Sequence, residues 1–116
     1  MILPDKGQLL RIFIEETDRH EDGKPLYQWI VDEARDRGLA GATVLRGLEG
    51  YGAHSRLHTA KVLRLSIDLP IVVEIVDTED KIAAFMPVVD AAVPEGLATL
   101  EAVEIRFYRH RESAKS

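Results

Sequence analysis

QLLRIFIEE, residues 8–16, is the segment from which the architecture of this chain can be worked out. Alternate positions on one of its faces are aliphatic: Leu10, Ile12 and Ile14. A period of two is typical of a β-strand with one buried face. The opposite face also carries apolar side chains, at Leu9 and Phe13. Apolar residues on both faces predict that the second face is covered as well, most simply by other subunits.

An amphipathic helix is predicted after this strand. Pro25 suits the first turn, because its missing N–H would have no partner there. Apolar side chains then recur at the i, i+4 spacing of one helix face: Leu26, Ile30 and Ala34. Gly38 follows the last turn and can adopt the left-handed conformation that commonly ends helices. The helix is therefore expected to begin at Pro25 and to end before Gly38.

Apolar runs predict the remaining strands. Residues 42–48 are apolar and bounded by glycines, and residues 63–69 alternate between apolar and polar side chains. Residues 71–76 are β-branched and nearly continuous, so we expect further extended chain there, bent or broken near Pro70. The last strand, residues 99–108, alternates again.

A second helix is predicted before the last strand. Residues 77–80, Asp-Thr-Glu-Asp, supply a capping side-chain oxygen and acids near the positive end of the helix dipole. One face is apolar at i, i+3, i+4, i+7 and i+11: Ile82, Phe85, Met86, Val89 and Val93. Pro87 lies inside this helix and removes one backbone hydrogen bond, which predicts a kink.

The predicted element order is β-α-β followed by β-α-β. Strands that alternate with two helices of this size match an α+β fold of the ferredoxin-like βαββαβ type, a four-stranded antiparallel sheet with both helices on one face. The length fits a single domain over residues 1–116, with its core at about residues 8–109.

Composition narrows the classes of function. The chain has 116 residues, 20 acidic and 15 basic, a formal net charge of -5 and no cysteine. The lack of cysteine excludes disulfides, thiolate zinc sites and cysteine nucleophiles. Net acidity argues against a nucleic-acid partner, because duplex binding needs many Lys or Arg on phosphates. No apolar run is long enough to span a membrane and no secretion signal is visible, so a cytoplasmic protein is expected.

The most unusual segment is the glycine- and histidine-containing stretch 47–58. Gly47, Gly50 and Gly52 would let backbone N–H groups approach an anion closely. Positive charge surrounds them at four positions: Arg46, Arg56, Lys61 and Arg64. One interpretation of this combination is a mobile loop for a phosphate-bearing ligand, although neither the P-loop nor the dinucleotide pattern is present. The alternative interpretation is an ordinary flexible hairpin with solvated charges.

Two histidines, His54 and His58, lie four residues apart in this segment. On a helix this spacing can share a metal ion, so the alternative function is a divalent-metal-binding or metal-tolerance trimer. No companion glutamate accompanies them, and two exposed loop histidines are the favoured interpretation, so no metal ligand is assigned. No nucleophile elbow or acid–base pair is visible, and the chain is not expected to be an enzyme.

Basic and aromatic residues interleave at 106–111. This pattern can bind nucleic acid by stacking and charge, but net acidity favours solvated charges at the end of an edge strand. A third interpretation, left open by the sequence, is that Arg106 and Arg109 face the glycine-containing loop across a subunit boundary.

Several motifs together resemble the PII-like family known as domain of unknown function 190. They are RGLEGYG at 46–52 followed by His58, the strands 63–69 and 70–74, DKI at 80–82, MPVV at 86–89 and EGLATLE at 95–101. Their order and spacing cover nearly the whole chain, from about Leu9 to Tyr108.

The resemblance implies a ferredoxin-like subunit assembled as a homotrimer with its sheets facing inward. It also makes residues 48–62 the counterpart of the flexible T-loop of PII signal-transduction proteins. Those proteins bind adenine nucleotides in clefts between subunits and use the loop to contact membrane transporters, enzymes or regulators. They are sensors rather than metabolic enzymes, and no obligatory cofactor is expected.

One departure from PII proteins concerns the phosphate site. PII proteins hold phosphates with a glycine–lysine segment, whereas residues 94–99 here have one glycine, no lysine and an acid. Tyr51 lies too near the loop base to be the tyrosine that PII proteins can have uridylylated. Candidate ligand contacts are chosen for charge or backbone access near the expected cleft: Arg46, Gly47, Gly50, Gly52, His58, Arg64 and Arg106. The expected function is binding of a small anionic effector, an adenine nucleotide, which reorders residues 48–62 and so controls a partner protein.

Overall fold

The computed structural model describes residues 5–52, 58–59 and 68–111, and it describes residues 58–59 in the backbone only. In chain order these residues form β1 (Lys6–Glu15), α1 (Leu26–Asp36), β2 (Ala42–Arg46), β3 (Glu49–Gly50), β4 (His58–Thr59), β5 (Pro70–Asp77), α2 (Glu79–Ala92) and β6 (Leu97–Glu104).

The longer strands form one antiparallel sheet in the order β2-β5-β1-β6. Both helices pack on one face of this sheet. The hydrophobic core between the sheet and the helices consists of Leu10, Ile12, Ile14, Leu26, Ile30, Ala34, Ile71, Val73, Ile75, Ile82, Phe85 and Val89. The predicted ferredoxin-like α+β fold is therefore confirmed.

The ends of α1 match the sequence prediction. The helix starts directly after Pro25, whose φ is -52°. At the other end Gly38 has φ 78°, and the N–H of Leu39 donates to the carbonyl of Ala34 at 3.0 Å. This pattern is a left-handed glycine cap that satisfies the last carbonyls of the helix.

α2 is capped by Thr78, whose Oγ1 accepts a hydrogen bond from the N–H of Lys81 at 3.2 Å. Two acidic residues follow in the first turn, as predicted. The helix then continues through Pro87 to Ala92. Of the two helices in the described part of the chain, neither is long and apolar enough to cross a bilayer.

The last strand is shorter than predicted and lies earlier, at Leu97–Glu104 instead of 99–108. The physical reason is its partner: Glu104 pairs with Lys6, where β1 begins, so the ladder ends there. Ile105 still donates its N–H to the carbonyl of Asp5, and the chain leaves the sheet after it.

The connection around Pro70 also differs from the prediction. Pro70 is the first residue of β5, a position where the missing N–H is tolerated. The second strand ends at Arg46 instead of extending over 42–48. One more hydrogen bond follows in the same register, from the N–H of Gly47 to the carbonyl of Pro70 at 2.7 Å. The predicted strand 63–69 lies outside the described residues, apart from its last two positions.

Neither helix covers the second face of the sheet, and large side chains on it are exposed among the described residues. One row of side chains across all four strands is apolar: Leu45, Val72, Phe13 and Leu97. In the next row Arg11 is level with Glu74, and its guanidinium also reaches Glu101 on β6, with N–O distances of 2.8 Å to each. The hydrogen bond to Glu74 is the largest of several influences that together raise the pKa of Arg11. Covering of this face by other subunits stays a prediction.

Candidate functional site

The base of the glycine-containing loop packs against one proline. A Cβ added at Gly47 would lie 2.8 Å from Cγ of Pro70, and one added at Gly50 would lie 3.3 Å from the same atom. These glycines therefore allow a close approach to β5. Since the N–H of Gly47 already donates to Pro70, it is not free to bind an anion. Gly52 has open space around its Cα and keeps that role available.

A two-residue antiparallel ladder closes the loop above this base. β3 pairs with β4 through Glu49 opposite Thr59 and Gly50 opposite His58. Residues 53–57 and 60–62 of the predicted loop 48–62 lie outside the described residues. Leu48 and Tyr51, the residues directly before and after β3, have large apolar side chains that are mostly exposed.

Arg46 ends β2 at the loop base and is held by Glu16. Its Nη2 lies 2.9 Å and its Nε 3.2 Å from Oε1 of Glu16. The N–H of Glu16 donates to the carbonyl of Leu69 at 2.9 Å, so the acceptor is itself fixed to the start of β5. The Arg46 side chain remains 53% exposed. A guanidinium in this position can turn toward an anionic ligand while it keeps one contact with its carboxylate.

Gly96 brings the connection between α2 and β6 to the same end of the sheet. It has φ 155°, and a Cβ there would lie 2.6 Å from the carbonyl oxygen of Phe13. Only glycine fits this approach without strain. Gly96 is the single glycine of residues 94–99, the segment that differs from PII proteins. Its close packing against β1 explains why a glycine stands there, independently of any ligand.

Arg106 lies at the opposite end of the sheet from Arg46. Through the strand pairing, Arg46 is level with Ile14, whereas Glu104 is level with Lys6. Eight residues of β1 separate these two positions, which corresponds to about 26 Å along the strand. Within one chain, therefore, the structure does not bring these two candidate site residues together. We call the two ends the loop-base end and the far end.

The far end carries residues 105–111, which we call the basic strap. Arg106 is highly exposed and pairs with its near neighbour Glu104, with an Nη1–Oε1 distance of 3.0 Å. The guanidinium carbon of Arg109 lies 4.4 Å from the ring centre of Phe107, a cation–π contact. The hydroxyl of Tyr108 donates to the carbonyl of Ala40 at 2.6 Å.

Asp77 is the buried polar residue beneath this contact. It is fully buried at the end of β5, and its Oδ2 accepts a hydrogen bond from the N–H of Ala40 at 2.8 Å. Its Oδ1 accepts from the N–H of Thr78 at 2.6 Å. Sequence reasoning assigned Asp77 only to the helix start. Its alternation with Ile71, Val73 and Ile75 was the signal that it faces the core.

The remaining candidate residues of the loop are outside the part of the structure that can be described. Arg64, Arg56, Lys61 and His54 fall there, and the side chain of His58 does too. Among residues 5–52 and 68–111, no cluster of three His, Cys, Asp or Glu side chains could hold a metal ion.

A depression of about 520 Å³ on the outer side of α1 is lined mainly by acidic side chains, some of which form ion pairs with the basic residues beside them. Nζ of Lys24 lies 2.9 Å from Oδ2 of Asp32, and this hydrogen bond lowers the pKa of Asp32. The backbone N–H of Lys24 also donates to Asp22 and lowers the pKa of that carboxyl. His20 stacks on Trp29 beside it, with ring centres 4.1 Å apart. These groups satisfy one another.

Comparison with known sequences finds a matching family model and several similar relatives. The model of the DUF190 family, described as "Uncharacterized ACR", matches residues 7–105. A UPF0166 protein of Aquifex aeolicus (strain VF5) is 44% identical over 102 residues, which cover 88% of this chain and 95% of the relative. A UPF0166 protein of Methanocaldococcus jannaschii is 35% identical over 82 residues, or 71% of this chain and 74% of the relative.

Comparison with solved structures finds CPII, a nitrogen regulatory PII-like protein from Thiomonas intermedia K12. Its complex with ADP, AMP and bicarbonate has a TM-score of 0.60 at 17% identity, covering 86% of this chain and 88% of that chain. Its complex with ADP and bicarbonate has a TM-score of 0.55 at 18% identity, with the same coverage. At this identity the likeness is one of fold.

Proposed function

This chain belongs to the DUF190 family, and from that premise we propose that it is a PII-like regulatory protein whose effector is an adenine nucleotide. In this proposal three copies assemble into a homotrimer, the nucleotide binds in the clefts between them, and residues 48–62 change their order on binding. The reordered loop then controls a partner protein, such as a membrane transporter or an enzyme.

The observation that carries the proposal is the separation of the two basic regions. Arg46 lies at the loop-base end of the sheet and Arg106 at the far end, about 26 Å apart along the strands. Within one chain, a nucleoside di- or triphosphate is too short to contact both Arg46 and Arg106. A cleft between two chains can combine the loop-base end of one with the basic strap of the next.

The open sheet face supports assembly from copies of this chain. Its apolar row, defined above, contains three large side chains that are exposed in the single chain: Leu45, Phe13 and Leu97. Soluble monomers rarely leave such a continuous apolar row uncovered. A closed ring of identical copies covers the face in every subunit at once.

Two observations support an adenine nucleotide as the ligand: the arginine side chains of this chain and the ligands of the solved structures with a similar fold. Arginine side chains suit phosphates, because the guanidinium donates two parallel hydrogen bonds to oxygens. The CPII complexes hold ADP and bicarbonate, and one also holds AMP. We therefore expect an adenine nucleotide to bind here, with bicarbonate as a second anion worth testing. The lack of a lysine in residues 94–99 shifts the phosphate contacts to arginine.

In this proposal the loop 48–62 is the part of the protein that contacts the partner. Leu48 and Tyr51 expose apolar surface at its base, next to the ladder between β3 and β4. A ligand that contacts Arg46 or the N–H of Gly52 favours one arrangement of the residues between the two strands. That differential binding is what shifts a loop equilibrium and exposes or hides a docking surface for a partner. The role is regulatory, without chemistry on the nucleotide.

The test combines calorimetric titration with AMP, ADP, ATP and bicarbonate with light scattering on the same sample. The expected result is a trimer that binds about one nucleotide per subunit, with affinity weakened about tenfold or more in Arg46→Ala. Arg37→Ala is a matched control, because Arg37 is also 53% exposed and pairs with Glu33 at 3.1 Å. A trimer that binds none of the nucleotides, or equal loss in the two variants, would contradict the proposal.

A further inference from the structure

We infer that Tyr108 is the positioning residue of the basic strap, holding Arg106 and Arg109 where they meet the phosphates of a nucleotide bound against the neighbouring subunit. This inference rests on the proposed function and adds to it a residue that touches no ligand itself. It starts from the hydrogen bond between the Tyr108 hydroxyl and the Ala40 carbonyl, whose length is 2.6 Å.

The strap needs such an anchor because the sheet ends before it. β6 stops at Glu104, and the N–H of Ile105 still donates to the carbonyl of Asp5 at 2.6 Å. Beyond Ile105 the described residues have no regular secondary structure. The Tyr108 hydroxyl therefore fixes the middle of a segment that would otherwise move freely about its first residue.

The anchor point itself is rigid. Ala40 lies in the short connection between α1 and β2, and its N–H donates to the buried carboxylate of Asp77 at 2.8 Å. The same connection is held by Nζ of Lys81, which donates to the carbonyl of Gly38 at 2.8 Å. Both holding residues belong to the junction of β5 and α2, so Tyr108 ties the strap to the folded core.

The two arginines flank the anchor closely. Arg106 precedes Tyr108 by two residues and Arg109 follows it by one, so fixing the tyrosine limits the volume that both guanidinium groups can explore. Their present contacts are weak ones: Arg106 pairs with the exposed Glu104, and Arg109 lies over the exposed ring of Phe107. Each can exchange that contact for a phosphate oxygen. Preorganisation of this kind strengthens binding by reducing the entropy lost when the ligand arrives.

The experiment is a double-mutant cycle on the full-length protein, with ADP as the probe and calorimetry as the measurement. Tyr108→Phe removes only the hydroxyl, and we expect ADP affinity to fall about threefold to tenfold with the trimer mass unchanged. Tyr27→Phe, on the half-buried side of α1, is the matched control and is expected to leave affinity unchanged. In an Arg106→Ala/Arg109→Ala background, Tyr108→Phe is expected to have no further effect.

Three outcomes overturn the inference. If the wild-type trimer binds ADP and Tyr108→Phe binds it equally well, the proposed function stands and the positioning role is wrong. If Tyr108→Phe weakens binding equally with and without the two arginines, the tyrosine acts by another route. If the wild-type protein binds no adenine nucleotide, the proposed function fails and this inference fails with it.

Discussion

The carboxylate of Asp77 accepts the backbone N–H of Ala40 at 2.8 Å, joining two residues that are 37 positions apart. Its second oxygen accepts the N–H of Thr78 at 2.6 Å, and the whole side chain is removed from solvent. One buried acid thus fixes both the start of α2 and the connection that receives the Tyr108 hydroxyl.

Loss of this carboxylate should be costly. Asp77→Ala leaves the N–H groups of two half-buried residues without their acceptors, and we expect the free energy of unfolding to fall by about 2–4 kcal/mol. Urea unfolding measures the change. Asp90→Ala, at an exposed position of α2, is the control and should change stability by less than about 0.5 kcal/mol. Equal effects of the two substitutions would show that the Asp77 contacts do not hold this junction.

Gly96 should not accept a side chain. Gly96→Ala combines a strained φ of 155° with a Cβ 2.6 Å from the carbonyl oxygen of Phe13. We expect a loss of about 1–3 kcal/mol in the free energy of unfolding. At Gly41 a Cβ would meet no atom within 4 Å, so Gly41→Ala should be neutral or slightly stabilising. Thermal unfolding of both variants tests the pair, and a stable Gly96→Ala protein would contradict the close approach.

The local sequence pattern was enough to predict the fold. Alternation in residues 8–16 placed β1, Gly38 placed the end of α1, and the capping segment 77–80 placed the start of α2. These signals act within a few residues, where the chemistry of one turn or one strand decides the outcome. The end of β6 was predicted four residues too late, since it depends on where its partner strand begins at Lys6.

The candidate site could be predicted only as a set of residue types. Gly47 was chosen for its backbone access, yet its N–H is taken by Pro70, 23 residues later in the chain. Arg46 and Arg106 were chosen together, although the register places them at opposite ends of the sheet. Tyr108 was missed as an anchor because its acceptor is a backbone carbonyl, which no side-chain motif reveals. Each of these facts depends on long-range pairing that sequence spacing does not encode.

The ion pair between Lys24 and Asp32 predicts how the titration of Asp32 changes when the lysine is removed. The hydrogen bond from Lys24 lowers the pKa of Asp32 from its ordinary value of 3.8. A carboxyl whose folded pKa is lowered stabilises the fold above its unfolded pKa, and this contribution is lost as pH falls through the folded pKa. Lys24→Met should raise the pKa of Asp32, measured by NMR titration of its carboxyl carbon.

Stability near pH 7 should change little in Lys24→Met, because both partners are exposed and the pair is screened by water. Gln28→Met is a useful second variant, since Gln28 also donates to Asp32, at 2.9 Å. It should raise the same pKa by a smaller amount. An Asp32 that titrates identically in all three proteins would show that these contacts are absent in solution.

A substitution on the sheet face opposite the helices tests whether copies of the chain assemble through that face, and it needs no ligand. Leu45→Asp introduces a charge into its apolar row, and burying an unpaired carboxylate between subunits is strongly unfavourable. We expect the proposed trimer to dissociate into folded monomers, seen as a threefold fall in mass by light scattering with an unchanged circular dichroism spectrum. Leu100→Asp is the control: Leu100 is 48% exposed against 47% for Leu45, but it lies on the helix side of the same sheet. Dissociation by both variants, or by neither, would place the contact between copies somewhere other than the open face.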